Sequence, residues 1–533
     1  MIKFKDVVFV YPTKDILDGI TFEIERGDHA VLIGSNGSGK STLVKLMLDP
    51  DIYTYEGDIH KGENMRIAYV DQFVDHEDSD VTAYDFLAEP FIELQARIDE
   101  TCAKMADEDA PDDIFDRYQE CLDEMDAVDG YNYDSNIHKE LAVAGISHVA
   151  DVPVNKISGG EFKLLSIVRS MLMKPQLLVM DEPDVFLDFE NLVGLMKLIN
   201  DYDGTILSIT HNRLLLSQCF NKVLHLENEK LQQFPGTYAE YNRAMLETKL
   251  EMHELTSKFD DFIAEQRVLV EKMRKEATET TDSKKGKQLR ARSSYLDRII
   301  AMREDYPFLE TDKYDFSFPE VGESEEDDHG QNTVSIKDYS LSFEREILRD
   351  VNFDIACGDK VAFVGANGTG KSSLLKDVYK LLSDENPDNI RMFSQIYDDG
   401  HSTLSGGERN LKQIEEICES EAGILILDEP TSHLDIYAQA ALERAIKAYK
   451  GTVLMVSHDF FTVTGCADRI MLLENGTLRE QSPRAYRKSV YKKYFDSDIF
   501  ETERIRKETE MRVNALIADK KYDEARELLK TKE

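Results

Sequence analysis

The chain has 533 residues, 41% of them hydrophobic and 32% charged. That length predicts several domains, and the apolar share suffices for packed cores, which excludes a chain disordered throughout. Lys and Arg total 64 against 104 Asp and Glu, a net charge of −40, so any nucleic-acid contact has to come from a local basic patch.

At the amino terminus, MIKFKDVVFVYP alternates as a strand and carries no signal-peptide core. No apolar run approaches the roughly 20 residues of a membrane helix. Six cysteines (Cys102, Cys121, Cys219, Cys357, Cys418 and Cys466) are scattered without a C-x-x-C pair. The expectation is a soluble, cytoplasmic protein with neither a metal cluster nor a disulfide framework.

After the apolar strand HAVLI comes GSNGSGKS at 34–41, a phosphate loop in its strand–loop–helix setting. Gly34, Asn36, Gly37 and Gly39 let backbone N–H groups close around phosphate oxygens, and Ser41 and Thr42 open a helix whose N-terminus attracts anions. Lys40 is expected to reach the β and γ phosphates of ATP, with Ser41 on Mg²⁺. The motif returns after KVAFV as GANGTGKS at 365–372, where Gly365, Asn367, Gly368, Gly370, Lys371, Ser372 and Ser373 take the same expected roles.

Three further features repeat, each 247 positions apart. ISGGE (Ser158, Gly159, Gly160, Glu161) returns as LSGGE (Ser405, Gly406, Gly407, Glu408); VMDEP around Asp181 returns as ILDEP around Asp428; Thr210 and His211 return as Ser457 and His458. Four features in one order mean two copies of one domain. Each strand LLVMDE and LILDE ends in two carboxylates. Asp181 and Asp428 suit the Mg²⁺ shell, while Glu182 and Glu429 suit deprotonation of an attacking water. His211 and His458 each follow the next strand and suit sensing a γ-phosphate.

The copies differ in length. Gln72, in YVDQ, stands 86 positions before Ser158, whereas Gln395, in MFSQ, stands 10 before Ser405. The first copy's insertion, 73–150, holds 22 acidic and 4 basic residues. The second copy has no room for a helical subdomain of usual size. EPDVFLD in the first copy stands where the second has EPTSHLD. Asp188 and Asp435 stay in register, but residues 184–186 replace small and polar ones, so the two sites are expected to be unequal.

Between the copies, Met252, Leu255, Phe259, Phe262, Leu269 and Met273 follow 3–4 spacing, with Gln266 at a polar seam position. This predicts a coiled-coil helix. A polar break, TETTDSKKGK at 278–287, precedes a run with Leu289, Leu296 and Ile299 on one face, so an antiparallel hairpin is expected. Residues 266–298 hold ten basic and five acidic side chains, a local +5. The stretch ESEEDDHGQ at 323–331 reads as a solvated connector, and the chain after about Ser482 as charged helix.

Phosphate loop, glutamine loop, SGGE signature, acidic strand end and histidine, in that order, resemble an ATP-binding cassette, over roughly 1–230 and 331–482. The resemblance implies two cassettes facing head to tail. One site would join Lys40, Gln72, Asp181, Glu182 and His211 to the signature of the second copy; the other would join Lys371, Gln395, Asp428, Glu429 and His458 to that of the first. It adds Gln72 and Gln395 to the catalytic and Mg²⁺ groups and places Tyr11 and Phe343 against adenine. Two cassettes in one chain with a long helical linker, opening PGTYAEYNRAMLETK, resemble the ABC-F translation factors. The implied architecture is α/β: cassettes 1–230 (helical subdomain and arm 73–150) and 331–482, a hairpin linker 231–330, a much reduced helical subdomain in the second cassette, and a helical extension 483–533. The implied partner is the ribosome, with the linker approaching tRNA and rRNA; Lys284, Lys285, Lys287, Arg290 and Arg292 are the candidate phosphate contacts. Some such factors protect ribosomes from antibiotics, and the long tip suits that role without deciding it. A twin-cassette clamp or a transporter-associated ATPase with a protein partner remains the alternative.

Overall fold

The computed structural model describes residues 1–12, 14–62, 65–72, 80–105, 113–279, 283–301, 308, 314–319, 334–342, 346–385, 387–394, 406–495 and 499–530. It divides into two compact units, Met1–Thr237 with Asp312–Ser497, and Tyr238–Thr311 with Asp498–Glu533.

The first unit opens with an antiparallel layer. Strands β1 (Ile2–Tyr11) and β2 (Lys14–Ile24) alternate buried and exposed residues and pair in register Ile2 to Ile24. Next come β3 (His29–Ile33), helix α1 (Lys40–Leu48) and β4 (Glu56–Lys61), which completes the antiparallel layer in the order β2-β1-β4. After β5 (Ile67–Val70) the chain forms the helical subdomain, α2 (Ala83–Lys104), α3 (Ile114–Ala127) and α4 (Tyr133–Ala144), then the long α5 (Gly159–Leu172). It returns through β6 (Leu177–Asp181), α6 (Phe189–Asp201), β7 (Thr205–Ile209), α7 (Arg213–Gln218), β8 (Lys222–Glu227) and β9 (Lys230–Pro235). The core sheet runs β5-β6-β7-β3-β8-β9, parallel except for the β9 edge. Its inner strands HAVLI, LLVMD and TILSI are apolar almost throughout because both faces are covered.

The second unit contains the linker. Helix α8 (Tyr238–Glu279) has 42 residues, about 63 Å at 1.5 Å per residue, and pairs with α9 (Ser283–Ala301) as a hairpin. The seam differs from the expected one. Leu255, Phe262 and Leu269 are exposed, whereas Ile263 and Leu296 are buried. Residues 252, 256, 259, 263, 266, 270 and 273 form the less exposed line. The helix carries two adjacent apolar stripes and has one antiparallel partner there, so only one stripe can be covered. Gln266 does lie on the seam, where it accepts a hydrogen bond from Arg292.

The second copy of the cassette, in the first unit, repeats the plan with β10 (Val334–Ser342), β11 (Glu346–Ile355), β12 (Lys360–Val364), α10 (Lys371–Glu385), β13 (Ile390–Phe393), α11 (Gly406–Cys418) and β14 (Ile424–Asp428). It continues with α12 (Ile436–Ala448), β15 (Thr452–Val456), α13 (Phe460–Cys466), β16 (Arg469–Glu474), β17 (Thr477–Gln481) and α14 (Pro483–Tyr494). Its core sheet order, β13-β14-β15-β12-β16-β17, is the first sheet's order strand for strand. Among the described residues no helix stands between β13 and α11, where the first cassette has three. The twin-cassette α/β fold with one reduced helical subdomain is therefore present. The last two helices, α15 (Ile499–Ala518) and α16 (Tyr522–Lys530), belong to the linker unit: Val513, Ile517, Ala525 and Leu529 share a buried cluster with Leu250 of α8. No helix among the described residues is long and apolar enough to cross a membrane.

Candidate functional site

Both phosphate loops lie between the central strand and the helix that follows it. Gly34 has no room for a side chain, since a Cβ there would sit 2.0 Å from the carbonyl oxygen of Leu226; at Gly365 the same test gives 2.6 Å to the Leu473 oxygen. Lys40 folds back inside its loop, donating to the Gly34 and Ser35 oxygens at 2.9 and 3.0 Å, and Lys371 does the same to Gly365 and Ala366 at 2.8 Å each. Burial pulls both lysines below their ordinary pKa, against the nearby acidic charges. Tyr11 ends β1 with its ring edge-on to Phe9, and the neighbouring Ile16 lies against Gly39.

The acidic strand ends meet these loops. Ser372 Oγ donates to Asp428 Oδ1 at 2.8 Å, and Tyr69 OH donates to Asp181 Oδ2 at 3.4 Å. Burial, then the Glu182 and Asp71 charges, push Asp181 up to about 6. A carboxylate so penalised beside a lysine-bearing phosphate loop suits a bound cation, which would reverse the penalty. Burial also opposes ionisation of Glu182, but the contact with His433 and the charges of His211, His433 and Lys40 outweigh it, so its pKa is lowered. Burial, then Lys40, hold His211 down at about 4, and both its ring nitrogens are buried without a hydrogen-bond partner among the described residues. An imidazole left unsatisfied there fits a phosphate oxygen.

The cassettes meet head to tail. Asn36 donates from its backbone N–H to Asp435 Oδ2 and from Nδ2 to the His433 oxygen, each at 2.9 Å. Reciprocally, Asn367 donates to Asp188 Oδ2 and to the Phe186 oxygen, each at 3.0 Å. Gly407 closes on the first loop so tightly that a Cβ would lie 2.4 Å from Asn36 Nδ2; at Gly160 it would lie 3.1 Å from the Phe186 oxygen and 3.5 Å from Asn367 Nδ2. Ser158 caps α5 in a reciprocal box with Glu161, which also meets His148 at 2.9 Å. Gly406 and Glu408 begin α11, and Gly37 and Gly368 occupy matching left-handed turns. A cavity of about 600 Å³ runs between the cassettes, lined by Ser158, Gly159, Gly160, Lys371, Ser373, Glu429 and His458 and reaching Glu182, His211 and His433.

The glutamine of the first cassette reaches this interface: Gln72 Nε2 donates to Glu182 Oε2 at 2.6 Å and lies 2.9 Å from His433 Nδ1. His458 donates from its backbone N–H to Glu429 Oε2 at 3.1 Å. Gln395, Ser405 and Phe343 lie outside the described residues. Three groups here escaped the sequence reading. Buried Lys163 donates to the Gln72 oxygen at 2.9 Å and to that of Asp71, tying the signature helix to the glutamine segment. Arg213 crosses to Glu443 and Asp459 of the other cassette. His433 touches the first cassette's acid. The 247-residue offset flags the His433/Phe186 difference, but nothing in the sequence says which cassette the histidine serves.

The ABC transporter domain family matches residues 17–185 and 348–395. The putative ATP-binding protein YdiF of Bacillus subtilis is 28% identical over 87% of this chain and 78% of its own length. The energy-dependent translational throttle protein EttA of Haemophilus influenzae is 26% identical over 87% and 90%, and ABC transporter F family member 5 of Arabidopsis thaliana 26% over 90% and 76%. These comparisons support an ABC-F family ATPase. Among solved structures, the archaeal recycling factor aABCE1 in its complex with stalk protein aP1 covers 91% of this chain at a TM-score of 0.51 and 16% identity, which shows a shared fold. On the hairpin linker, Lys287 and Arg290 are exposed, while Arg292 is turned to Gln266 and to the Tyr295 ring, 5.3 Å away; the side chains of Lys284 and Lys285 lie outside the described residues.

Proposed function

We propose that this ATPase is a ribosome-binding translation factor. It closes on two ATP molecules, binds the ribosome in that state with its hairpin directed toward tRNA and rRNA, and leaves after hydrolysis. The observation that carries the reading is the reciprocal head-to-tail contact of two phosphate loops in a chain whose linker is a hairpin with an exposed basic and apolar surface. Similarity over most of the chain to a protein named a translational throttle supports the same reading.

At the first site, Lys40 and the backbone around Gly37 and Gly39 hold the phosphates, Asn36 keeps the loop against the partner cassette, and Tyr11 stacks on adenine. Ser41, Gln72 and Asp181 would hold Mg²⁺, which neutralises phosphate charge; Ser372, Gln395 and Asp428 are their counterparts. A water oxygen bonds to the γ-phosphorus as the bond to the ADP oxygen breaks, and the water's proton passes to Glu182, or to Glu429 at the second site. His211 and His458 contact the γ-phosphate, and Ser158 to Glu161 and Ser405 to Glu408 complete the opposite sites. Closure is thus favoured by ATP, and hydrolysis releases it.

The test is co-sedimentation of Glu182→Gln/Glu429→Gln with ribosomes. ATP-dependent pelleting, absent with ADP, is expected. Failure to pellet in either nucleotide, by a variant shown to bind ATP, overturns the ribosome reading in favour of a twin-cassette clamp with another partner. Antibiotic protection is the finer form of this reading and is checked by translation in the presence of drug.

A further inference from the structure

Positions 186 and 433 correspond under the repeat, and both adopt left-handed backbone without being glycine, φ +68° at Phe186 and +58° at His433. Such conformations are strained and persist where the surroundings enforce them. The backbone at both positions does one job, accepting a hydrogen bond from the asparagine of the opposite phosphate loop at 3.0 and 2.9 Å. The turns are therefore equivalent, and what differs is the side chain each delivers across the interface.

His433 delivers an imidazole. Its Nδ1 lies 3.3 Å from Glu182 Oε2 and 2.9 Å from Gln72 Nε2, while Gln72 Nε2 itself donates to that same oxygen at 2.6 Å. An amide nitrogen can only donate, so Nδ1 accepts from Gln72, whose other N–H donates to Glu182; the carboxylate is thus oriented through a glutamine that the other cassette holds, and its attack geometry is set before chemistry. At the second site the corresponding residue is Phe186, whose ring has no polar atom and lies edge-on to His433, centroids 6.4 Å apart. Glu429 is gripped from within its own cassette, by the backbone N–H of His458.

We propose that His433 is a positioning residue supplied in trans to the first ATP site, orienting Glu182, and that the first site consequently hydrolyses ATP faster than the second, where Phe186 replaces it. The inference rests on the reading of Glu182 and Glu429 as the proton acceptors. Because His433 rides on the second cassette, Glu182 is fully oriented only when the cassettes are closed.

The experiment measures single-turnover hydrolysis by the full chain at saturating ATP. The Glu429→Gln background isolates the first site and Glu182→Gln the second. His433→Phe is expected to slow the first site about tenfold with ATP affinity within about threefold, and to slow the second much less. His433→Gln, which keeps a hydrogen-bonding group, is expected to restore most of the rate. Phe186→His is expected to accelerate the second site several-fold, which keeps the test decisive if His433→Phe is poorly folded by thermal unfolding. Equal slowing at both sites, or a Gln variant as slow as Phe, overturns the proposal. Hydrolysis persisting in Glu182→Gln/Glu429→Gln is a separate result, removing the proton-acceptor reading beneath it.

Discussion

Arg213 Nη2 lies 2.6 Å from Glu443 Oε1, joining the first cassette to the second with both side chains less than a tenth exposed. Asp459 Oδ2 at 2.7 Å and Thr462 Oγ1 at 3.1 Å are further partners, and the guanidinium lies over the Phe461 ring, 5.1 Å from its centroid. Burial opposes the guanidinium charge, but Asp459 and Glu443 outweigh it, so Arg213 stays protonated. The repeat puts Phe460 at the matching position, where its ring packs 5.5 Å from Phe189. One edge of the cassette pair is thus ionic and the other aromatic. Arg213→Ala leaves the buried Glu443 carboxylate without the guanidinium and is expected to cost about 3–5 kcal/mol. Arg213→Leu with Glu443→Leu should recover much of that, and a double-mutant cycle in denaturant unfolding measures the coupling.

Asp184 sits where the second cassette has Thr431 and accepts from Thr210 Oγ1 at 2.5 Å. Burial, with Glu182 adding to it, pushes its pKa up to about 6. A carboxyl whose folded pKa exceeds its unfolded value binds more protons in the folded state, so stability is lost as pH rises from about 4 to about 6 and stays lost above. Asp184→Thr removes that penalty. The variant should be about 1 kcal/mol more stable than the parent at pH 4.5 and about 3 kcal/mol more stable at pH 8, at roughly 1.4 kcal/mol per pKa unit. A gain equal at both pH values would show that packing, not charge, is responsible.

Lys163 is nearly buried, and burial pulls it down to about 8 against the Asp184 and Asp71 charges. Its two carbonyl contacts hold the segment that presents Gln72 to Glu182. Lys163→Met keeps the stem and loses both contacts. Steady-state turnover should fall about tenfold with a smaller change in KM, the pattern of a lost orienting contact rather than lost binding. A rise in KM alone would place Lys163 in nucleotide binding.

Local chemistry made the phosphate loops, the acidic strand ends and the duplication legible, because a glycine loop after an apolar strand has few other uses and an equal spacing repeats an equal strand order. The seam of α8 was half legible. Met252, Phe259, Gln266 and Met273 lie on it, but Leu255, Phe262 and Leu269 belong to a parallel stripe, and periodicity cannot say which of two apolar stripes a single partner covers. The head-to-tail facing of the cassettes came with the resemblance, but individual side-chain contacts across it were illegible: Arg213 and His433 are ordinary residues in their own segments and acquire meaning only from the opposite copy. The packing of Val513 and Ile517 against Leu250 is equally a matter of tertiary distance.

Leu255, Phe262 and Leu269 recur every seventh residue on α8 and remain exposed, 60%, 38% and 40% respectively, while Ile263 one step round the helix is 8% exposed. An apolar stripe on a hairpin that also exposes the basic Lys287 and Arg290 suits contact with a large partner rather than with water. Replacing all three stripe residues by Ser should leave the melting temperature and the ATPase rate of the isolated protein nearly unchanged, since surface substitutions typically shift stability by within about 0.5 kcal/mol. Under the ribosome reading the same triple variant should pellet about tenfold less well with ATP, and Lys287→Glu/Arg290→Glu should flatten the salt dependence of pelleting. Ile263→Ser is the contrasting variant: it uncovers the seam against α9 and should lower the melting temperature directly. If the triple variant pellets as the parent does, this face of the hairpin is not the one that meets the ribosome.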